Sequence, residues 1–566
     1  MQAFRIVALA LVLLAVSVMV FISLGSPSLN ISDLSLKRQS FADAPAESAP
    51  VAALAYQTDS PRAWEDHFHL RNKQLARSNQ PEIASISAMN LKTVFQMYWE
   101  PTFSCKYPVR VGRVGDGGKW VCNPHGLLES AKTGGRKVIV YSLGSNGDYS
   151  FETGINEIFG DQATIDTFDM GHFEGAPKFL TLHQNKVVGV DENGNYDKTE
   201  NGISVNAMRE QLGHVGKPID IFKIDIEGSE YEVLKTYIGP GCPLNANMIL
   251  METHGDTPAH YSEIFEKLQK NCQMELYMKE PNIQFSGGEV LEWCFVRVDW
   301  AKRPLMPNEL SWHLAYQVDT AKGWRTRFDN RNKQMARSNK PNLKQLPDIK
   351  LKEFFQRFWE PTFSCDFAVR IGRIGDGGKW VCNPYQIRQA AEWENRKVIV
   401  YSLGSNGDYS FETGINEIFG EHATIDTFDM GHFEGAPRFL TLHQNKIVGV
   451  DAKGNYDKTE NGISVNAIRE KLGHVGKPID IFKIDIEGSE YEVLKTYIGP
   501  GCPLNANMIM METHWDTPAH YSEIFQKLQD NCGMELYYKE PNIQFSNGEV
   551  LEWCWVRVDW KSRPGL

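Results

Sequence analysis

The sequence contains no Cys-x-x-Cys pair, no Gly-x-Gly-x-x-Gly string and no Gly-Lys-Ser/Thr triplet. It has no run of lysine and arginine either, and its net charge is −12. The first absence removes the usual zinc ribbon. The second and third remove the dinucleotide fingerprint and the phosphate-binding P-loop. The charge balance gives no footing to a nucleic-acid surface, which needs clustered basic residues. Only one Asn-x-Ser/Thr acceptor occurs, at Asn30-Ile31-Ser32.

What the chain does have is itself, twice. Residues 54–300 reappear as 314–560, shifted by 260 with no gap, and 191 of the 247 aligned positions are identical. From Lys137 to Trp300 only 16 of 164 positions differ, against 40 of 83 from Leu54 to Arg136. A repeat this long is a duplicated whole domain, not a solenoid unit. The sequence therefore divides into a short tail (1–5), an apolar segment (6–24), a stem (25–53), a first domain (54–300), a linker (301–313), a second domain (314–560) and a tail (561–566). With 42% apolar and 11% aromatic residues, each unit can build a packed interior.

Ile6 to Leu24 are 19 uncharged, mostly apolar positions, enough to cross a hydrocarbon core of about 30 Å. The segment is long for a cleaved secretory peptide, and Arg5 alone precedes it. It reads as a retained signal anchor in a single-pass membrane protein of the Golgi or endoplasmic reticulum. Cleavage of the segment would instead make the protein secreted. In both cases the repeats are lumenal, where disulfides form. Five cysteines per repeat leave one odd thiol in each, either buried and free or joined across the repeats.

Within a repeat, Val109 to Cys122 alternates around Asp116-Gly117-Gly118 as a β-hairpin does. It reads as a ribbon pinned by Cys105 and Cys122 or as a lid over a site. From Lys137 the pattern becomes strand, loop, helix. Strands are expected at 137–143, 163–169, 219–226, 247–253, 275–277 and 292–298, with helices at 227–237 and 259–270. This is an α/β fold with a mostly parallel sheet covered by helices on both faces. Ligands of such sheets bind beyond the carboxyl ends of the strands, where strand order reverses.

Four features fall at those ends. Gly144-Ser145-Asn146-Gly147-Asp148 follows the first strand and allows close backbone approach to a ligand. Asp169 ends the second strand, where a carboxylate can accept both hydroxyls of a ribose; Asp166 is a rival, but sits mid-strand. Alternation places Lys223, Asp225 and Glu227 on one side of the third strand's end, a costly concentration of charge unless paired or used. Glu252-Thr253-His254 ends the fourth, and His254 is suited to remove a proton from a hydroxyl.

The string SLGSNGDYSFE resembles the cofactor loop of class I S-adenosylmethionine-dependent methyltransferases of the FkbM type, and KIDIEGSEYEVL and ILMETH resemble that group's next signatures. GDGGKWVC is similar to the animal methyltransferase-like protein 24 group. The resemblance implies two tandem Rossmann-like methyltransferase domains. It implies S-adenosyl-L-methionine as cofactor, lined by Gly144, Asn146 and Gly147, with Asp169 on the ribose and Asp225 beside the sulfonium. The second repeat keeps Gly404, Asn406, Gly407, Asp429, Asp485, Glu487 and His514 at the matching positions. One departure stands out: the acid usual two positions before the first loop glycine is Ser142 here, and Glu152 or Asp148 would have to replace it.

These features lead to a membrane-anchored lumenal O-methyltransferase with Asp225, His254, Asp485 and His514 as catalytic residues. Its acceptor would be a hydroxyl, on a glycan by analogy with the layout of other anchored lumenal enzymes. The competing readings are a tandem binding protein without turnover and a metal-dependent transferase. An aspartate and a histidine alone are too few ligands to assert a metal, and none is expected.

Overall fold

Val138–Leu143 is buried at all six positions, and its side chains alternate between two cores. Val138 and Val140 face one side of the sheet, Ile139, Tyr141 and Leu143 the other. This is why the strand reads as an unbroken apolar run. The computed structural model describes residues 61–300 and 321–561, apart from 80, 82, 192, 340, 342–345, 347–348 and 452. The apolar segment 6–24, the stem and the linker lie outside the described residues. Among the described residues no helix is long and apolar enough to cross a membrane.

In the first repeat, helices α1 (Pro61–Ser78) and α2 (Leu91–Met97) precede a hairpin of β1 (Pro108–Val111) and β2 (Lys119–Cys122). Then come α3 (Pro124–Thr133), β3 (Val138–Leu143), α4 (Ser150–Phe159), β4 (Ala163–Asp169) and β5 (Thr181–Gln184). After α5 (Val205–Gln211) follow β6 (Ile221–Ile224), α6 (Glu230–Leu234), β7 (Met248–Thr253), α7 (Pro258–Cys272), β8 (Met274–Pro281) and β9 (Leu291–Arg297). The seven-stranded sheet runs β8-β9-β7-β6-β3-β4-β5. Strands β5, β4, β3, β6 and β7 are parallel; β9 is antiparallel to both neighbours. Order reverses between β3 and β6, so the ligand crevice is expected at their carboxyl ends. Helices α3 and α4 pack on the Val138 face, and α5, α6 and α7 on the Tyr141 face. The second repeat has the same strand order.

The expected strand 219–226 keeps only Ile221–Ile224, and the helix expected at 227–237 shrinks to Glu230–Leu234. The cause lies between them: Glu227 has φ of 57° and Gly228 of 100°, a left-handed turn that neither element tolerates. The strand expected at 275–277 extends to Met274–Pro281, because it pairs with Leu291–Arg297, itself shifted by one residue from the expected 292–298. Disulfides join Cys105 to Cys122 and Cys242 to Cys272, with counterparts Cys365–Cys382 and Cys502–Cys532. The odd thiols, Cys294 and Cys554, are buried and free.

Candidate functional site

The loop after β3 is shaped by contact with β6. A Cβ on Gly144 would lie 1.6 Å from the carbonyl oxygen of Asp225, and φ there is +81°. No other residue fits, since both the space and the conformation exclude a side chain. At Gly147 a Cβ would press on Phe173, with φ of +75°. The loop is fastened to β4 by Asp169. Its Oδ2 accepts the N–H of Ser145 at 2.7 Å and of Asn146 at 2.9 Å, while Oδ1 accepts the N–H of Gly171 at 2.9 Å. Partial burial pushes this carboxyl up, but the three backbone donors outweigh it and leave it below the ordinary aspartate range. Asp169 therefore builds the glycine loop as well as facing the crevice. Asp166 turns away and pairs with His183 Nε2 at 3.1 Å.

The acid missing at position 142 is present in space. Ser142 Oγ donates to Glu152 Oε1 at 2.5 Å, so a carboxyl from α4 occupies the place beside the strand end. Glu152 is 1% exposed, and its Oε2 has no hydrogen-bond partner among the described residues. Burial raises its pKa, with Lys223 opposing the shift. A buried carboxylate oxygen left open beside the glycine loop fits a cationic ligand group. Asp148 instead pairs with Arg113 at 3.2 Å.

The hairpin carries residues that the sequence did not single out. Glu280, Glu292 and Glu252 stand side by side on β8, β9 and β7, paired in register across the sheet. Like charges in a row repel. Two cations from the hairpin answer them: Arg110 on β1 reaches Glu280 at 2.5 Å, and Lys119 on β2 reaches Glu252 at 2.6 Å and also pairs with Glu292. Lys119 is 1% exposed and lies 3.2 Å from Asp225 Oδ2. The hairpin is thus both a disulfide-pinned ribbon and part of the site. The available signal was a lysine and an arginine inside short, otherwise apolar strands. Burial alone would raise the Asp225 carboxyl, but Lys119 and Lys223 hold it far below the usual range.

His254 follows β7 and collects carboxylates. Nδ1 lies 3.2 Å from Glu230 Oε1, while Nε2 lies 3.8 Å from Asp225 and 3.7 Å from Glu227. Burial disfavours the charged ring, yet Glu230, Glu252 and Asp225 outweigh it and push its pKa up to about 9. Asp225, Glu227 and His254 each offer a ligand atom within 4.8 Å of the others, and Asp485, Glu512 and His514 do the same. The sequence places Glu227 and Glu252, the counterpart of Glu512, at these strand ends, but the metal-dependent reading counts only the aspartate and the histidine.

The second repeat reproduces this geometry. One cavity there is lined by Gly404, Asn406, Asp429, Asp485, Glu487 and His514. Gly407 does not line it, and its N–H faces Ser405 Oγ at 3.4 Å. At the cavity's edge stands Trp515, 70% exposed, with φ of 47° and its ring 5.4 Å from that of His514. Gly255 occupies the same position in the first repeat with φ of 54°. A bulky residue held in the left-handed region is a strained one.

The family described as methyltransferase domain matches residues 57–297 and again 316–557. No curated protein matches the chain. Among solved structures, Aeropyrum pernix fibrillarin with natively bound S-adenosyl-L-methionine is 12% identical, with a TM-score of 0.18 over 33% of this chain and 82% of that one. A protein described as an rRNA methylase from Clostridium thermocellum is 9% identical, with a TM-score of 0.17 over 31% of this chain and 96% of that one. The two sequence matches carry the assignment, and the seven-stranded sheets agree with it. The chain belongs to the methyltransferase domain family in both of its halves, as two tandem S-adenosylmethionine-dependent methyltransferase units.

Proposed function

We propose that each repeat methylates a hydroxyl group, on a glycan acceptor, in the lumen of the Golgi or endoplasmic reticulum. The protein would be held to the membrane by residues 6–24. The observation that carries the chemistry is the single cavity that gathers the glycine loop, Asp429, Asp485 and His514. S-adenosylmethionine supplies the methyl group. Gly144 and Asn146 would line it, on a loop whose turn Gly147 makes with its positive φ, and Glu152 would hold its amino group through the open Oε2. Oδ1 of Asp169, which accepts only one backbone donor, would take a ribose hydroxyl. Asp225, ionised by its two lysines, would favour the sulfonium cation.

His254 and His514 would take the acceptor's proton, and for this each ring must be neutral. Trp515, Phe545 and Met430, all exposed at the second cavity, offer apolar surface to an acceptor ring. The lumenal and glycan parts rest on the apolar N-terminal segment, the disulfides and the exposed aromatic edge. Mass spectrometry of glycans after incubation with a deuterated methyl donor tests them; unlabelled glycans would remove the acceptor class.

A second reading, binding without turnover, is favoured by one fact: a ring with a pKa of about 9 is protonated at neutral pH. Assay at pH 9 separates the two, because a working base gains rate there and a binding protein shows none.

A further inference from the structure

The two repeats meet through a pseudo-two-fold contact whose residues repeat at the offset of 260. Arg110 lies 3.6 Å from Glu360 of the second repeat, and Arg370 lies 3.6 Å from Glu100 of the first. Arg77 donates to the carbonyl of Gly372, and Arg337 to that of Gly112. One hydrophobic core runs through both halves, with α2 and α7 and their second-repeat counterparts in it.

Two buried glutamines in this contact reach a site that is not their own. Gln96, on α2 and 2% exposed, accepts the N–H groups of Ile543 at 2.9 Å and Gln544 at 3.3 Å. Those residues open the segment 542–550, whose Asn542, Phe545, Ser546 and Val550 line the second repeat's cavity. Lys92 adds a bond to Asn547 at 3.0 Å. In the reverse direction Gln356, also 2% exposed, accepts the N–H of Ile283 at 2.9 Å in the matching segment 282–290. The two segments also face each other: a Cβ on Gly288 would lie 3.5 Å from Ile543, and one on Gly548 would lie 3.5 Å from Ile283.

We propose that each repeat holds the acceptor-side wall of the other's site, with Gln96 positioning 542–550 and Gln356 positioning 282–290, so that the duplicated chain works as a built-in dimer. This rests on the reading of that cavity as the methyltransferase site. A buried amide oxygen is retained only where donors meet it, and here the donors come from the opposite repeat. Both glutamines are positioning residues, acting on a backbone that faces the acceptor.

Hydrogen exchange on the full chain tests the crossing. Gln96→Met should speed exchange at 542–550 by about 5- to 10-fold, the scale of one lost hydrogen bond, and leave 282–290 and α2 itself near the parental rate. Gln356→Met should do the reverse. Equal changes in both segments, or change confined to the repeat that carries the substitution, would overturn the proposal. Should Gln96→Met fail to fold, Lys92→Ala at the exposed Asn547 contact is read in the same way. Calorimetry with S-adenosylhomocysteine on the parent chain keeps the two readings apart. Absence of binding removes the methyltransferase site, whereas binding with no crossed exchange removes the pairing alone.

Discussion

Nδ1 of His254 lies 3.2 Å from Oε1 of Glu230, a fully buried carboxylate that also accepts the N–H groups of Ile226 and Gly228. That contact sets the histidine's charge. Its orientation comes from the left-handed turn at Glu227 and Gly228, which brings α6 back under β7. The folded pKa of about 9 exceeds the ordinary value of 6.5. The resulting stabilisation is complete below about pH 6.5 and is lost as pH rises through 9. The melting temperature should fall between pH 7 and 9.5, and His254→Gln should flatten part of that fall. An unchanged profile in the variant would place the titration elsewhere.

The same shift moves the activity limb. A base with this pKa should give methyl transfer that rises with pH up to about 9, and the double variant His254→Gln, His514→Gln should lose about 10²- to 10⁴-fold. A limb near 6.5 in the parent would contradict the Glu230 contact.

Glu152→Ala and Glu412→Ala should each weaken S-adenosylhomocysteine binding in their own repeat by about 1.5–3 kcal/mol, the value of a charged hydrogen bond. Calorimetry measures it. Because burial raises the Glu152 pKa, affinity at this site should also fall as pH drops toward the acid range. Equal affinity in parent and variant would return the amino-group role to Asp148.

Lys119→Met should destabilise the chain by about 3–5 kcal/mol, since Glu252, Glu292 and Asp225 lose the buried cation between them. Urea unfolding checks this. A loss below about 1 kcal/mol would mean that the carboxylates simply take up protons.

Trp515→Gly should relieve the backbone at φ 47° and raise stability by about 1 kcal/mol, while lowering acceptor affinity at the second site alone. If acceptor affinity is unchanged, the exposed ring has no part in recognition.

The sheet was legible because buried parallel strands leave unbroken apolar runs: Ala163–Asp169 was readable to the residue. Gly144 was legible through its place after such a strand, and His254 through the end of another. Glu152 was legible only as one of two candidates with Asp148, because the choice depends on which carboxyl the helix turns toward Ser142. Lys119 was not legible, since it reaches the site from a hairpin 106 residues before Asp225. Strand β5 was missed because Thr181–Gln184 is a half-exposed edge with no apolar run. The pairing of the repeats was invisible, since Gln96 looks like any polar residue on a short helix until its partner at Ile543 is placed.

The duplicated loops and acids require two S-adenosylmethionine sites in one chain. The most direct test is titration calorimetry of the full chain with S-adenosylhomocysteine, alone and with Asp169→Ala or Asp429→Ala. Two sites are expected in the parent and one in each single variant, with none in the double variant. One site in the parent, or two surviving in either variant, would contradict this.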